Sequence, residues 1–137
     1  MARILVVDDH EETRYLLQRV LSHFGHEVAC ASEGKGALEA LSANIPDLMI
    51  LDLSMPGVSG ADVLCEIRAN PRTASLPVII FSAYPDSIYK EIARKAGATA
   101  YWIKGSIELA EMEAAIEHIL AAVEPSAPAD TPAPRPT

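Results

Sequence analysis

The sequence predicts an α/β protein in which five parallel strands form one sheet with helices on both faces. Three observations predict it. Runs such as Ile4-Leu5-Val6-Val7, Leu48-Met49-Ile50-Leu51 and Val78-Ile79-Ile80-Phe81 are unbroken apolar stretches rich in Val, Ile and Leu, as strands covered on both sides are. Longer segments whose apolar residues recur at helical spacing lie between such runs. The two kinds of segment alternate five times, and parallel strands joined through helices require crossovers, almost always right-handed.

Each element has its own local signal. Ile4 to Val7 is the first strand. Residues 11–24 form a helix with Leu16, Leu17, Val20, Leu21 and Phe24 on one face, Glu11 and Glu12 in its first turn, and Gly25 at its stop. Glu27 to Ala31 is a weaker second strand. Ser32 is placed to cap a helix through Ala43, with Ala37, Leu38 and Leu41 inward and Pro46 beyond its end. Leu48 to Leu51 is the third strand. Ser59 precedes a helix bearing Val63, Leu64 and Ile67, which Pro71 closes. Pro77 to Phe81 is the fourth strand, and residues 86–96 are helix four, ended by Gly97. Ala98 to Ile103 is strand five. Ser106 begins helix five, whose packing face carries Leu109, Met112, Ile116, Ile119 and Leu120.

One domain of residues 1–123 is expected, followed by a tail or linker of residues 124–137 holding five prolines with Ala, Ser and Thr. At 137 residues, 50% hydrophobic and 22% charged, the chain has the composition of a globular protein and the length to bury about two-thirds of its surface. Eleven basic residues face 19 acidic ones, a net charge of −8. That balance offers no footprint for phosphate backbones or anionic lipids, so neither direct nucleic-acid binding nor a membrane partner is expected. Cys30 and Cys65 are too few for a disulfide framework and lack metal-ligand spacing; they read as buried thiols of a reducing cytosol. The opening apolar run is too short for a signal peptide or an anchor, which points to a cytoplasmic protein.

Ligands of open α/β sheets bind beyond the carboxyl ends of the strands. Those ends carry Asp8 and Asp9 after strand one, Asp52 after strand three, Ser82 after strand four and Lys104 after strand five. Singly, each has an ordinary explanation: a helix cap, a turn residue in Asp-Leu-Ser-Met-Pro-Gly, a solvated amine. Together they place three carboxylates, a hydroxyl and an ammonium on one rim. Crowded carboxylates raise one another's pKa unless a cation neutralises them. An oxygen-only donor set suits Mg²⁺. A carboxylate can attack phosphorus to form an acyl phosphate, while a cation and an amine hold the phosphoryl oxygens. The set therefore describes phosphoryl transfer onto an aspartate. His10, beside the acid pair, either lines the pocket or, the reading preferred, is an exposed loop residue; His23 and His26 at a helix end read as surface polar residues and His118 as helix surface. No glycine-rich nucleotide loop occurs.

Ile-Leu-Val-Val-Asp8-Asp9, Asp52-Leu-Ser-Met-Pro56-Gly57 with Gly60, Phe-Ser82-Ala83, Gly97-Ala98 and Tyr101-Trp-Ile-Lys104 resemble the receiver domain of two-component response regulators from about Arg3 to Val123. The resemblance implies a flavodoxin-like, doubly wound (βα)5 sheet with strand order 2-1-3-4-5. It implies that Asp52 is the phosphoacceptor and that Asp8, Asp9, Asp52 and the Ser54 backbone carbonyl bind Mg²⁺. It further implies Ser82 as switch hydroxyl, Tyr101 as switch aromatic and Lys104 as the phosphate-stabilising base. The donor would be a sensor histidine kinase or phosphotransfer protein. The output would be a partner-binding, or homodimerising, face of helix four, strand five and helix five, on a downstream target the sequence does not name. Such a protein is a switch rather than a metabolic enzyme. No output domain follows Val123 in the sequence, which suits a stand-alone regulator or a receiver cut from a longer chain.

Gly105 departs from the pattern, since the family usually has proline after the base. A cis bond before a non-proline costs about 2.5–4 kcal/mol, so Lys104-Gly105 is expected to be trans. Two other classes fit less well. An aspartate-based phosphatase would carry a second acid where Ser54 stands, and a cap domain this chain has no room for. A flavin carrier would offer Ser/Thr-rich phosphate loops rather than three acids.

Overall fold

The computed structural model describes residues 2–55 and 57–122. Pro56 of the expected Pro-Gly turn, Val123 and the whole 124–137 tail therefore lie outside the described residues. Ten elements alternate: β1 (Arg3–Val7), α1 (Glu11–His23), β2 (Glu27–Ala31), α2 (Gly34–Ala43), β3 (Leu48–Leu51), α3 (Gly60–Ala69), β4 (Val78–Ser82), α4 (Ser87–Ala96), β5 (Ala100–Ile103) and α5 (Leu109–Ala122). The chain divides into two compact units, Met1–Ile107 with the sheet and four helices, and a second from Glu108 that contains α5.

All strand pairs are parallel, in the order β2-β1-β3-β4-β5. Strand alternation divides the sheet's side chains between two layers. Leu5, Val7, Met49, Leu51, Val78 and Ile80 pack with Ala37 and Leu41 of α2, Val63, Leu64 and Ile67 of α3 and Ala93 of α4. Ile4, Val6, Ile50 and Ile79 point the other way, and α1 contributes Leu17 and Leu21 as its buried residues. The central strands are buried throughout, as their unbroken apolar runs require.

Local chemistry moved several boundaries. α2 starts at Gly34 with Glu33 as N-cap and no side-chain cap, so Ser32 does not cap it. Ser59 does cap α3, its hydroxyl accepting the Asp62 N–H at 3.2 Å. α5 begins at Leu109 rather than Ser106, because Gly105 takes a left-handed φ of 82° and turns the chain first. The Glu111 carboxylate then accepts the Glu108 N–H at 2.9 Å. Leu16 is 54% exposed and Leu109 55% exposed, against the expectation of packing positions. Both sit at the flank of an apolar stripe, where helical period alone does not separate core from rim. Cys30 and Cys65 are exposed rather than buried. β2 is an edge strand, so the sheet covers only one of its sides, and Cys65 sits on the solvent side of α3.

Candidate functional site

The ladder fixes where the acids stand. Val7 pairs with Leu51, Leu51 with Ile80, Phe81 with Trp102 and Ser82 with Ile103. The next residues, Asp8 and Asp52, leave adjacent strands side by side. Asp52 N–H donates to the Val7 carbonyl at 2.8 Å and Asp8 N–H to the Ala31 carbonyl at 3.1 Å, continuing the pairing past the strand ends. Lys104 N–H donates to the Ser82 carbonyl at 2.7 Å, which ties the ends of β4 and β5 together.

This packing leaves charge where water is scarce. Asp8 is 1% exposed and Asp52 4% exposed, whereas Asp9 is only partly buried. Lys104 Nζ lies 2.8 Å from Asp8 Oδ2 and 3.7 Å from Asp52 Oδ2, and 5.8 Å from the centre of the Phe81 ring. Ser54 N–H donates to Asp52 Oδ1 at 3.4 Å. Burial first, and the Asp8 charge second, push the Asp52 carboxyl up from 3.8 to about 7, although Lys104 and the Ser54 N–H favour its ionised form.

Of the sequence-predicted residues, Asp8, Asp9, Asp52 and Lys104 come together, whereas Ser82 and Tyr101 meet at the Tyr84 backbone. Ser82 is fully buried, its hydroxyl accepting the Tyr84 N–H at 3.0 Å. The Tyr101 hydroxyl donates to the Tyr84 carbonyl at 2.6 Å, so both Ser82 and Tyr101 hold the loop between β4 and α4. Tyr84 in turn stacks on Tyr89 with centroids 4.5 Å apart. Strand alternation turns Trp102 inward, edge-on to Phe81. The Lys104-Gly105 bond is trans; no cis bond occurs among the described residues.

Arg14 escaped the sequence reading, in which a pocket-lining His10 ranked second. Arg14 Nη1 donates to the Asp8 carbonyl at 2.7 Å and pins that strand end. His10 is exposed as expected, yet its Nδ1 lies 3.1 Å from Asp8 Oδ1 and 3.2 Å from Asp9 Oδ1. The signal for both was proximity to the acid pair, at Asp8 plus two and plus six.

The donor set fits a hard divalent cation. Among the described residues, Asp9 Oδ1 and Asp52 Oδ2 are buried without a hydrogen-bond partner, and Asp8 Oδ2 has only the Lys104 ammonium beside it. Ligand atoms of Asp8, Asp9, His10 and Asp52 all lie within 4.8 Å of one another. Buried carboxylate oxygens in that state are costly unless a cation joins them. Among the described residues, no helix is long and apolar enough to cross a membrane.

Comparison with known proteins bears on this rim. The model of the response regulator receiver domain matches residues 4–117. The transcriptional regulatory protein KdpE of Mycobacterium tuberculosis is 41% identical over 127 residues, covering 90% of this chain and 55% of KdpE. The sensory/regulatory protein RpfC of Xanthomonas campestris is 38% identical over 106 residues, 74% of this chain and 14% of RpfC. The chain thus spans about half the length of the first relative and a small part of the second. Among solved structures, a putative response regulator from Chloroflexus aurantiacus superposes with a TM-score of 0.83 at 33% identity, covering 88% of this chain and 98% of that one. The Vibrio cholerae chemotaxis protein CheY4, at 24% identity and a TM-score of 0.80 over 87% of this chain and 98% of its own, shares the fold. With the family model spanning nearly every described element, the chain belongs to the receiver domains of response regulators.

Proposed function

We propose that this receiver, over residues 1–123, is a phosphorelay switch in which Asp52 accepts a phosphoryl group from a phosphohistidine of a sensor histidine kinase or phosphotransfer protein. The observation that carries the reading is the buried Asp52 carboxylate, flanked by Asp8, Asp9 and Lys104 at the carboxyl edge of the sheet. In the transfer, an Asp52 oxygen forms a bond to phosphorus, the bond from phosphorus to the imidazole nitrogen breaks, and its electron pair returns to the ring. Lys104 favours the ionised, nucleophilic form of Asp52 and is within reach of the incoming phosphoryl oxygens. Mg²⁺ held by Asp8, Asp9, Asp52 and the Ser54 carbonyl would supply the positive charge that offsets crowding on this rim.

Ser82 and Tyr101 are assigned the switching role. Both bind the backbone of Tyr84, so a Ser82 hydroxyl drawn toward a phosphoryl group would release one of two hydrogen bonds holding that loop. The loop leads into α4, where Ile88 is 64% exposed and Ile92 also faces solvent. This apolar pair is the docking edge for the downstream target or a second copy. A cytoplasmic location fits such partners.

The test is intact-mass spectrometry after acetyl phosphate treatment with Mg²⁺. One added phosphate is expected on the parent and none on Asp52→Asn. Phosphate persisting on that variant sinks the assignment.

A further inference from the structure

We propose that His10 is an additional metal-ligating residue, making the acid cluster a mixed oxygen and nitrogen site that favours first-row transition cations over Mg²⁺ more strongly than carboxylates alone would. The inference rests on the reading of Asp8, Asp9 and Asp52 as a cation site and deepens it. His10 is the N-cap of α1, with extended φ and ψ of −93° and 117° and no side-chain bond to the helix. Its imidazole is thus free of the usual capping duty. The backbone is held instead, since the His10 N–H donates to Asp8 Oδ1 at 2.9 Å. That bond curls the chain so that Nδ1 lies 3.1 Å from Asp8 Oδ1 and 3.2 Å from Asp9 Oδ1. One ring N–H shared between two carboxylates makes only a bent three-centre bond, whereas a cation between them takes all three groups as ligands.

Two further observations point inward to a ligand. Among the described residues, Asp52 Oδ2 has no hydrogen-bond partner and belongs to a carboxylate over nine-tenths buried, and ligand atoms of Asp52 and Asp8 lie within 4.8 Å of the imidazole. The His10 side chain itself is 63% exposed, so it stands where an aqua cation enters. Donor chemistry then sets the preference. Carboxylates suit Mg²⁺ and Mn²⁺, while imidazole adds most for Co²⁺, Ni²⁺ and Zn²⁺, along the Irving–Williams order.

The test is calorimetric titration of the intact chain with Mg²⁺ and, separately, Co²⁺, alongside the visible absorption of bound Co²⁺. The probes are parent and His10→Asn, a change that keeps the backbone N–H and a good N-cap. The expected result is a ratio of Co²⁺ to Mg²⁺ affinity about tenfold lower in His10→Asn, equivalent to about 1.4 kcal/mol, with an altered Co²⁺ spectrum. A ratio and spectrum unchanged by the substitution overturn the proposal. So does an equal loss for both cations, which would make His10 a residue that orients the acids. Failure of the parent to bind Mg²⁺ at all would instead overturn the cation site itself, and is separately visible in the first titration.

Discussion

Lys104 Nζ is nearly an ångström closer to Asp8 Oδ2 than to Asp52 Oδ2, at 2.8 against 3.7 Å. The amine therefore serves chiefly as the counter-charge of a buried acid that would otherwise lack one. Removing it leaves like charges facing one another in a dry site. Lys104→Ala should lower stability by about 1–3 kcal/mol at neutral pH, between the exposed and buried ion-pair ranges. Urea denaturation should show the loss, and millimolar Mg²⁺ should recover part of it. Equal stability of parent and variant without Mg²⁺ would contradict the role.

The acid cluster also sets a pH dependence whose sign is opposite to that of a salt-bridged carboxylate. The Asp52 carboxyl is raised from 3.8 to about 7, so the folded chain holds its proton more tightly than the unfolded chain. Its contribution to stability is fully present below pH 3.8 and is lost as pH rises through about 7. Asp52→Asn should flatten that decline and stabilise the metal-free protein by about 1–2 kcal/mol at neutral pH, less than the full shift implies because local relaxation around an ionised group reduces its burial penalty. Denaturation midpoints from pH 4 to pH 8 check both, and a parent whose stability rises across pH 5 to 7 through this residue would refute the sign.

Much of this rim was legible because strands register by residue and not by contact. Val7 and Leu51 end their apolar runs in step, so the acids that follow must be neighbours once the strands are. The order of the strands was another matter: periodicity is silent on it, and it came from motif resemblance. What escaped depended on chain direction at a single residue. Gly105 at a positive φ delayed α5 past Ser106, and the His10 imidazole turned back on the acids through its own backbone bond to Asp8. Neither leaves a periodic trace.

Cation binding has a built-in reporter. Trp102, the single tryptophan, packs edge-on to Phe81, over whose ring Lys104 Nζ lies 5.8 Å from the centre. A cation among the acids competes with the Lys104 ammonium, and a shifted amine changes the field at this aromatic pair. Mg²⁺ titration should change Trp102 emission saturably, and Asp9→Asn should weaken the apparent affinity about tenfold or more, since it deletes a buried unpartnered oxygen. An unaltered midpoint in Asp9→Asn would place the cation elsewhere.

Gly60 joins the first turn of α3 to the loop that carries Asp52. Its N–H donates to the Leu53 carbonyl at 2.9 Å, and a Cβ at this position would overlap the Asp52 carbonyl oxygen and stand 2.8 Å from Leu53 Cα. Backbone atoms cannot yield as a side chain can. Gly60→Ala should therefore cost about 2–4 kcal/mol, in the overpacking range or above, and displace Asp52 from its neighbours. Phosphorylation from acetyl phosphate should slow even where the variant is fully folded, and wild-type rates with wild-type stability would show that the contact is slack.

Away from the rim, Arg68 ties two loops together. Its Nε donates to the Gly97 carbonyl at 2.9 Å, and its Nη1 to the carbonyls of Leu76 at 2.7 Å and Ala74 at 3.2 Å. One guanidinium thus gathers the turn after α4 and the loop into β4. Among the described residues no acid pairs with it, and burial lowers its pKa. Gly97 completes the arrangement: its φ of 103° aims the carbonyl at Arg68, and a Cβ would meet Arg68 Cγ at 2.9 Å. Arg68→Ala removes the guanidinium donor from these loop carbonyls, at about 1–3 kcal/mol in total because water reaches some of them. Arg68→Lys should recover less than half, since an ammonium at one point cannot span a planar fork's directions. Amide exchange should locate the loss, with faster exchange at Ala98 and Leu76, whose N–H groups donate to Ala93 and Thr73 in these same turns. Full recovery by lysine would mean that charge alone, and not the fork, holds the two loops.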